Sequence, residues 1–246
     1  CHQLVGLDLA PGMLAQAALR DSCARLLCGD AEQLPFADST FDWVFSSLAL
    51  QWCERPAQAF AELHRVLKPG GRLLFSTLLA ESLWQLREAW RTVDECDHVN
   101  RFLSLPQLEQ AIAAGGFAAP ALESLTWSLG YPELNGLLRD LKGIGASQVN
   151  DERHTGLSSR QRLQRLSQAY EAHRQPDGLL AASYQVCLGQ LIRRYVRDRP
   201  GELRTSTSQA TRRTATPVAT AAPAACWARR KESPRASAKA MTSSRW

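Results

Sequence analysis

Apolar positions over the first eighty residues fall in short blocks that alternate between two periods. Residues 4–9 form a compact β-rich run, and 11–19 follow at helical spacing with Pro11 at the first helical position. A second strand is expected over 24–28. A third, over 41–48, is almost continuously apolar, as suits a parallel strand covered by helices on both faces. Residues 56–67 return to helical spacing through Ala57, Phe60, Ala61, Leu63, His64 and Leu67. Lys68-Pro69-Gly70-Gly71 should stop that helix, and 72–79 should form a fourth strand. Strands alternating with helices through short connections predict an α/β fold with a doubly wound, mostly parallel sheet.

Beyond residue 80 the pattern changes. Helices are expected over 83–93, which carries Trp84 and Trp90, and over 105–114, capped by Ser104 and stopped by Gly115-Gly116. Residues 122–129 read as a strand and 134–141 as a short helix. A basic amphipathic helix is expected over 158–172, and a final antiparallel strand over 182–192 closing the sheet edge. The expected organisation is thus a core over 1–79, cap helices with a late strand over 80–181, a last strand over 182–198, and a tail over 199–246. The tail is rich in Ser, Thr, Ala, Arg and Pro and nearly devoid of Leu, Ile and Phe. Too little apolar area is available there to offset ordering entropy, so disorder is expected.

Charge follows the same division. Ten of the 29 Lys and Arg residues, and two of the 24 Asp and Glu, lie in 199–246, so the tail carries +8 and residues 1–198 carry −3. The basic excess is a property of the tail, which argues against a nucleic-acid-binding face on the folded part. A basic tail can serve RNA, a membrane or an acidic partner, but an incidental extension fits its composition better. The seven cysteines show no metal-ligand spacing, and several sit in apolar runs as buried thiols do, which points to a reducing cytoplasm. No apolar stretch reaches the roughly 18 residues of a membrane span.

The most informative polar residues are Asp8 and Asp30, each placed where an apolar strand stops. Open α/β sheets bind ligands at the carboxyl ends of their strands. There the first acid can accept from both hydroxyls of a ribose and the second can reach an adenine edge, although either one alone is also a common turn former.

Four motifs resemble the class I S-adenosylmethionine-dependent methyltransferases, with their Rossmann-like sheet: Val5-Gly6-Leu7-Asp8-Leu9, Gly29-Asp30-Ala31-Glu32-Gln33-Leu34-Pro35, Phe41-Asp42, and Arg65-Val66-Leu67-Lys68-Pro69-Gly70-Gly71. Three more resemble the malonyl-acyl-carrier-protein O-methyltransferase family of biotin biosynthesis: Ser47-Leu48-Ala49-Leu50-Gln51-Trp52-Cys53, Asn100-Arg101-Phe102-Leu103, and Leu141-Lys142-Gly143-Ile144-Gly145-Ala146. The resemblance runs to about residue 195. It implies S-adenosyl-L-methionine as cofactor, held by Asp8, Leu9, Met13, Asp30, Ala31, Ser46 and Leu48. It further implies a malonyl group on acyl carrier protein as acceptor, with the insertion of 80–181 roofing the acceptor pocket. The family begins with a strand and a Gly-x-Gly turn that are not seen before Leu4. At least one further strand–helix unit, roughly 30 or more residues, is therefore expected upstream, its strand lying mid-sheet beside residues 4–9.

A carboxylate acceptor is already ionised at neutral pH and needs no general base. Orientation and desolvation then carry the reaction. Arg101 and Lys142 are the expected orienting cations, with Arg139 one turn before Lys142, while Gln51 and Trp52 should border the transfer chamber. Arg160, Arg162 and Arg165, or Arg193 and Arg194, are the expected docking patch for an acidic carrier protein. A phenolic acceptor, as in a quinone-precursor methyltransferase, would instead call on His64 or His98 as base. A third reading is an inactive fragment without the glycine turn.

Overall fold

The alternation of strands and helices closes into one mixed sheet in the computed structural model, which describes residues 4–20, 25–96, 98–143, 159–194 and 217–220. Val5–Asp8 (β1) leads into Pro11–Arg20 (α1), and Arg25–Cys28 (β2) pairs parallel to β1. Phe41–Ser47 (β3), Pro56–Val66 (α2) and Leu67–Leu78 (β4) follow, with β3 and β4 parallel. Strand β4 begins before the expected position. Lys68-Pro69-Gly70-Gly71 is its first stretch, because Gly70 N–H donates to the Arg193 carbonyl at 2.7 Å and Arg193 N–H to that of Gly71 at 3.0 Å. The positive φ of Gly70, 82°, accommodates the register shift there. Lys68 Nζ and Asp42 Oδ2, 2.6 Å apart, tie the starts of the two strands.

Trp84–Arg91 (α3), Leu105–Ala114 (α4), Ala121–Tyr131 (β5), Leu134–Gly143 (α5), Ser159–Tyr170 (α6) and Leu180–Ile192 (β6) make up the later part. Ser104 caps α4 in a full capping box with Gln107, as its sequence position predicts. The final strand does not close the sheet edge. Strand β6 lies inside, antiparallel to both β4 and β5, and the largely exposed β5 is the edge. Over its 13 residues β6 pairs with β4 through 186–192 and with β5 through 180–190.

A seventh strand comes from the tail. Pro217–Thr220 (β7) lies between β1 and β3, parallel to both, with Val218 in register with Val5 and Val44 and Thr220 with Leu7 and Ser46. The strand order is β2-β1-β7-β3-β4-β6-β5. Order was not expected anywhere in the tail, yet these four residues occupy the mid-sheet position assigned from sequence to an upstream strand. The reason lies in the backbone: β1 and β3 each present a row of amides and carbonyls that a parallel strand satisfies. Residues 195–216 and 221–246 lie outside the described residues, as do 144–158 with the Ile144-Gly145-Ala146 end of one motif.

One sheet face is covered by α2 and α4, which bury Phe60, Leu63 and Ile112 against Val44, Leu73 and Phe75. Gly115, at the end of α4, lets that helix approach closely: a Cβ there would stand 2.8 Å from the Phe60 carbonyl carbon and 2.9 Å from Ala61 N. On the other face Trp43 and Phe45 remain 38% and 47% exposed. The double-sided cover expected for this strand is therefore one-sided among the described residues. A second core joins α3, α5, α6 and the start of β6 through Leu86, Leu137, Leu166, Tyr170 and Leu180. No helix among the described residues is long and apolar enough to cross a membrane.

Candidate functional site

The carboxyl ends of β1, β2 and β3 gather the first set of polar groups. Asp8 is buried at the end of β1. Its Oδ1 accepts from Ala10 N–H at 2.7 Å, which fixes the turn into α1, while Oδ2 is buried with no hydrogen-bond partner among the described residues. Burial pushes the Asp8 carboxyl above the ordinary aspartate range, against the opposing pull of the Ala10 amide. Ser46 Oγ, near the end of β3, is the other buried side-chain oxygen without a partner among the described residues. Buried polar atoms of this kind are costly unless something satisfies them. Leu9 and Met13, in and after the turn that follows Asp8, are half-buried.

Asp30 follows β2 and accepts from Glu32 N–H at 2.9 Å, with Ala31 half-buried next to it. The loop holding both is pinned by two residues whose roles the sequence did not reveal. Glu32 is buried, and its Oε1 accepts from the Glu54 and Arg55 amides at 2.6 and 3.0 Å, capping the approach to α2. Its Oε2 meets Arg55 Nε at 2.9 Å. Arg65 reaches the carbonyls of Leu34 and Phe36 at 2.9 and 2.7 Å and pairs with Asp38 and Glu62. Both contacts join residues more than twenty positions apart, so no local signal marks them. Their occurrence within the motifs is the one available clue.

After β3 the chain turns through Leu48, which holds a left-handed φ of 47°. A side chain in that region is strained and needs support from its surroundings. Leu48 N–H donates to the Ser76 carbonyl at 3.0 Å, and its own carbonyl accepts from Gln51 Nε2 at 2.8 Å. Thr77 Oγ1 in turn donates to Gln51 Oε1 at 3.3 Å. Gln51 thus clamps the turn. Trp52 is half-buried in the same 3₁₀ turn, Leu50–Trp52.

Two cavities adjoin this turn and share Leu78. The smaller, about 180 Å³, is bordered by Gln51, Thr77 and the exposed Arg101. The larger, about 660 Å³, opens at the carboxyl ends of β3 and β4 between Leu48, Trp127, Tyr184 and Val186, and Arg139 lies on its wall. Lys142 is exposed near the end of α5 and borders neither cavity. The expected pair of orienting cations is therefore split: Arg101 adjoins Gln51, while Lys142 stands apart.

The other expected groups are engaged elsewhere. His98 Nε2 lies 2.6 Å from Asp94 Oδ1 and its ring stacks on Trp90 at 3.8 Å. Arg162 pairs with Asp94 and lies 3.2 Å from His98 Nε2, so it faces inward rather than toward a docking protein. Asp94, Cys96 and His98 could together face a metal ion, but the Arg162 guanidinium already supplies the local cation. His64 packs edge-on against Phe117, and burial, with help from Arg193, holds its pKa down. Arg193 binds Ser39 Oγ and the carbonyls of Arg65 and Leu67. Of the expected docking arginines, Arg160, Arg165 and Arg194 are exposed.

Residues 1–75 match the model of the methyltransferase domain family. Two curated relatives are malonyl-[acyl-carrier protein] O-methyltransferases. That of Laribacter hongkongensis is 42% identical over 208 residues, covering 80% of this chain and 70% of the relative. That of Serratia marcescens is 44% identical over 191 residues, covering 78% and 72%. The biotin biosynthesis bifunctional protein BioHC of Cellvibrio japonicus is 46% identical over 185 residues, and the chain spans 37% of its length. Among solved structures, a protein of Bacillus halodurans C-125 named as a methyltransferase shares the fold at a TM-score of 0.55 and 20% identity, over 78% of this chain and 84% of that one. The sheet, its strand-end carboxylates and these identities lead to one conclusion: the chain belongs to the malonyl-[acyl-carrier protein] O-methyltransferase family, within the class I methyltransferase superfamily.

Proposed function

We propose that this protein takes part in biotin synthesis by methylating the free carboxyl of a malonyl group carried on acyl carrier protein, with S-adenosyl-L-methionine as methyl donor. The observation that carries the cofactor assignment is the unpartnered, buried Oδ2 of Asp8. A ribose hydroxyl pair is the donor such an acceptor lacks, and the cofactor's adenosine supplies it. In this reading Asp30 and the Ala31 amide meet the adenine, and Ser46 and Leu48 meet the methionyl side. When bound, the cofactor supplies an electrophilic methyl on a sulfonium.

The chain's own part is positioning. Gln51 holds the strained Leu48 turn, and the apolar walls beyond it strip water from the acceptor. Well-oriented reactants gain effective molarities of about 10⁵–10⁸ M, so the ionised carboxylate can attack without a base. Neither His98 nor His64 is among the residues lining the two cavities at the Leu48 turn, which disfavours a phenolic acceptor, since that would need a base there. The exposed Arg160 and Arg165 remain for an acidic carrier protein. The cytoplasm is the setting that suits such a partner and the reduced thiols of Cys28, Cys96 and Cys187.

Methyl transfer from labelled S-adenosylmethionine to malonyl-acyl carrier protein tests the reading. Formation of the methyl ester, absent with acetyl-acyl carrier protein, is the expected result. Transfer to neither, in a protein that binds S-adenosylhomocysteine, overturns the choice of acceptor.

A further inference from the structure

Resting on that reading of the acceptor, we infer that Arg139 is the residue that binds the malonyl carboxylate and selects an acidic acyl group over a neutral one. The sequence ranked Arg101 and Lys142 ahead of it. Arg139 instead borders the cavity that reaches the strained Leu48 turn, whereas Lys142 borders neither cavity and Arg101 borders the smaller one.

Three features of this wall fit the role. The cavity is lined largely by apolar and aromatic side chains, Leu48, Leu78, Trp127 and Val186 among them, with the exposed Arg139 and Asp140 as its charged members. Arg139 is the single cation among the residues that line it, and it makes no hydrogen bond or ion pair with any described residue. Its neighbour Asp140 is held by another group, since Tyr131 Oη donates to Asp140 Oδ2 at 3.1 Å. The guanidinium is therefore free to offer its planar fork to a carboxylate, the geometry arginine matches best. Its position on α5, a helix anchored in the second core by Leu134, Leu137 and Leu141, gives that fork a fixed base.

The location matters as much as the charge. The ends of β3 and β4 and the end of β5 all point the same way, because β6 runs antiparallel to β4 and β5 antiparallel to β6. The cavity therefore opens on the same sheet edge as Asp8 and Ser46, with Leu48 on its border. A short acid held by Arg139 would face that edge, and its thioester arm would extend toward the open side past the exposed Trp127.

The test is binding by the full chain in the presence of saturating S-adenosylhomocysteine, with malonyl-N-acetylcysteamine and acetyl-N-acetylcysteamine as probes. The unsubstituted protein should prefer the malonyl probe. Arg139→Met should lose about 10- to 100-fold of malonyl affinity, as loss of a charge-assisted contact does, with acetyl affinity and the thermal midpoint unchanged. Arg139→Lys, a point charge without the fork, should fall between them. If Arg139→Met keeps the preference while Arg101→Met abolishes it, the assignment of Arg139 is overturned and the malonyl reading stands. If the unsubstituted protein has no preference, both fall.

Discussion

Asp8 and Ser46 stand on either side of β7, at the carboxyl ends of β1 and β3, and each holds a buried oxygen without a partner among the described residues. Thr220 is in register with Ser46 on one side and with Leu7, the residue before Asp8, on the other. Two buried oxygens without a partner are costly in the free protein, and on the proposed reading the cofactor removes that cost.

Asp8→Asn should therefore separate binding from stability. Affinity for S-adenosylhomocysteine should fall by about 1.5–3 kcal/mol, the range for hydrogen bonds to charged groups, by calorimetric titration. The thermal midpoint of the ligand-free protein should not fall, because the substitution removes a buried charge. The sign follows from the raised carboxyl pKa: Asp8 favours the folded state at low pH and loses that contribution as pH rises through its folded pKa. Cofactor affinity should run the opposite way and weaken on acidification, beginning above the ordinary aspartate range. A flat pH profile would show that Asp8 Oδ2 takes no part.

Glu32→Ala should destabilise by about 1.5–3 kcal/mol, the range for hydrogen bonds to a charged group. The loss resides in the Glu54 and Arg55 amides rather than in the salt bridge, since the Arg55 side chain is 60% exposed and solvent screens it. Urea titration of Glu32→Ala against Arg55→Ala checks this. Equal losses in the two variants would contradict it.

The Asp94–Arg162 pair should show its acid dependence. Burial alone would raise the Asp94 pKa, but the His98 and Arg162 hydrogen bonds outweigh it and hold the carboxyl low. Stability from this group is thus present above the unfolded pKa and lost as pH falls through the folded one. Arg162→Met should cost about 1–3 kcal/mol near neutrality and much less below the folded pKa, measured as the gap in thermal midpoint at the two pH values. A gap that does not narrow means Arg162 contributes by packing on Trp90, where its guanidinium sits 5.7 Å from the ring centroid.

Gln51→Ala should release the Leu48 turn. Turnover should drop about 10- to 100-fold, since misplaced reactants lose much of their orientational advantage, with a smaller loss of S-adenosylhomocysteine affinity transmitted through the Leu48 turn. Single-turnover methyl transfer beside a binding titration distinguishes the two. An equal loss of cofactor affinity would place Gln51 in the cofactor site instead.

The sequence by itself determined the elements whose signals are local. The alternation through β4, the Ser104 cap and the acids closing β1 and β2 were all legible, because hydrophobic periodicity, capping and strand-end turns depend on residues a few positions apart. Tertiary structure alone decided what each charged side chain would meet. Arg162 was read as a docking residue and is spent on Asp94, 68 positions away, and Arg193 on carbonyls more than a hundred positions away. The sheet order was decided the same way. Nothing local tells β6 that it will lie inside β5, or tells Pro217–Thr220 that β1 and β3 will hold a place for it. Strand pairing and ion pairing depend on which backbone edges and which opposite charges the folded chain brings within reach. That is a property of distance in space, which the order of residues encodes only through the fold.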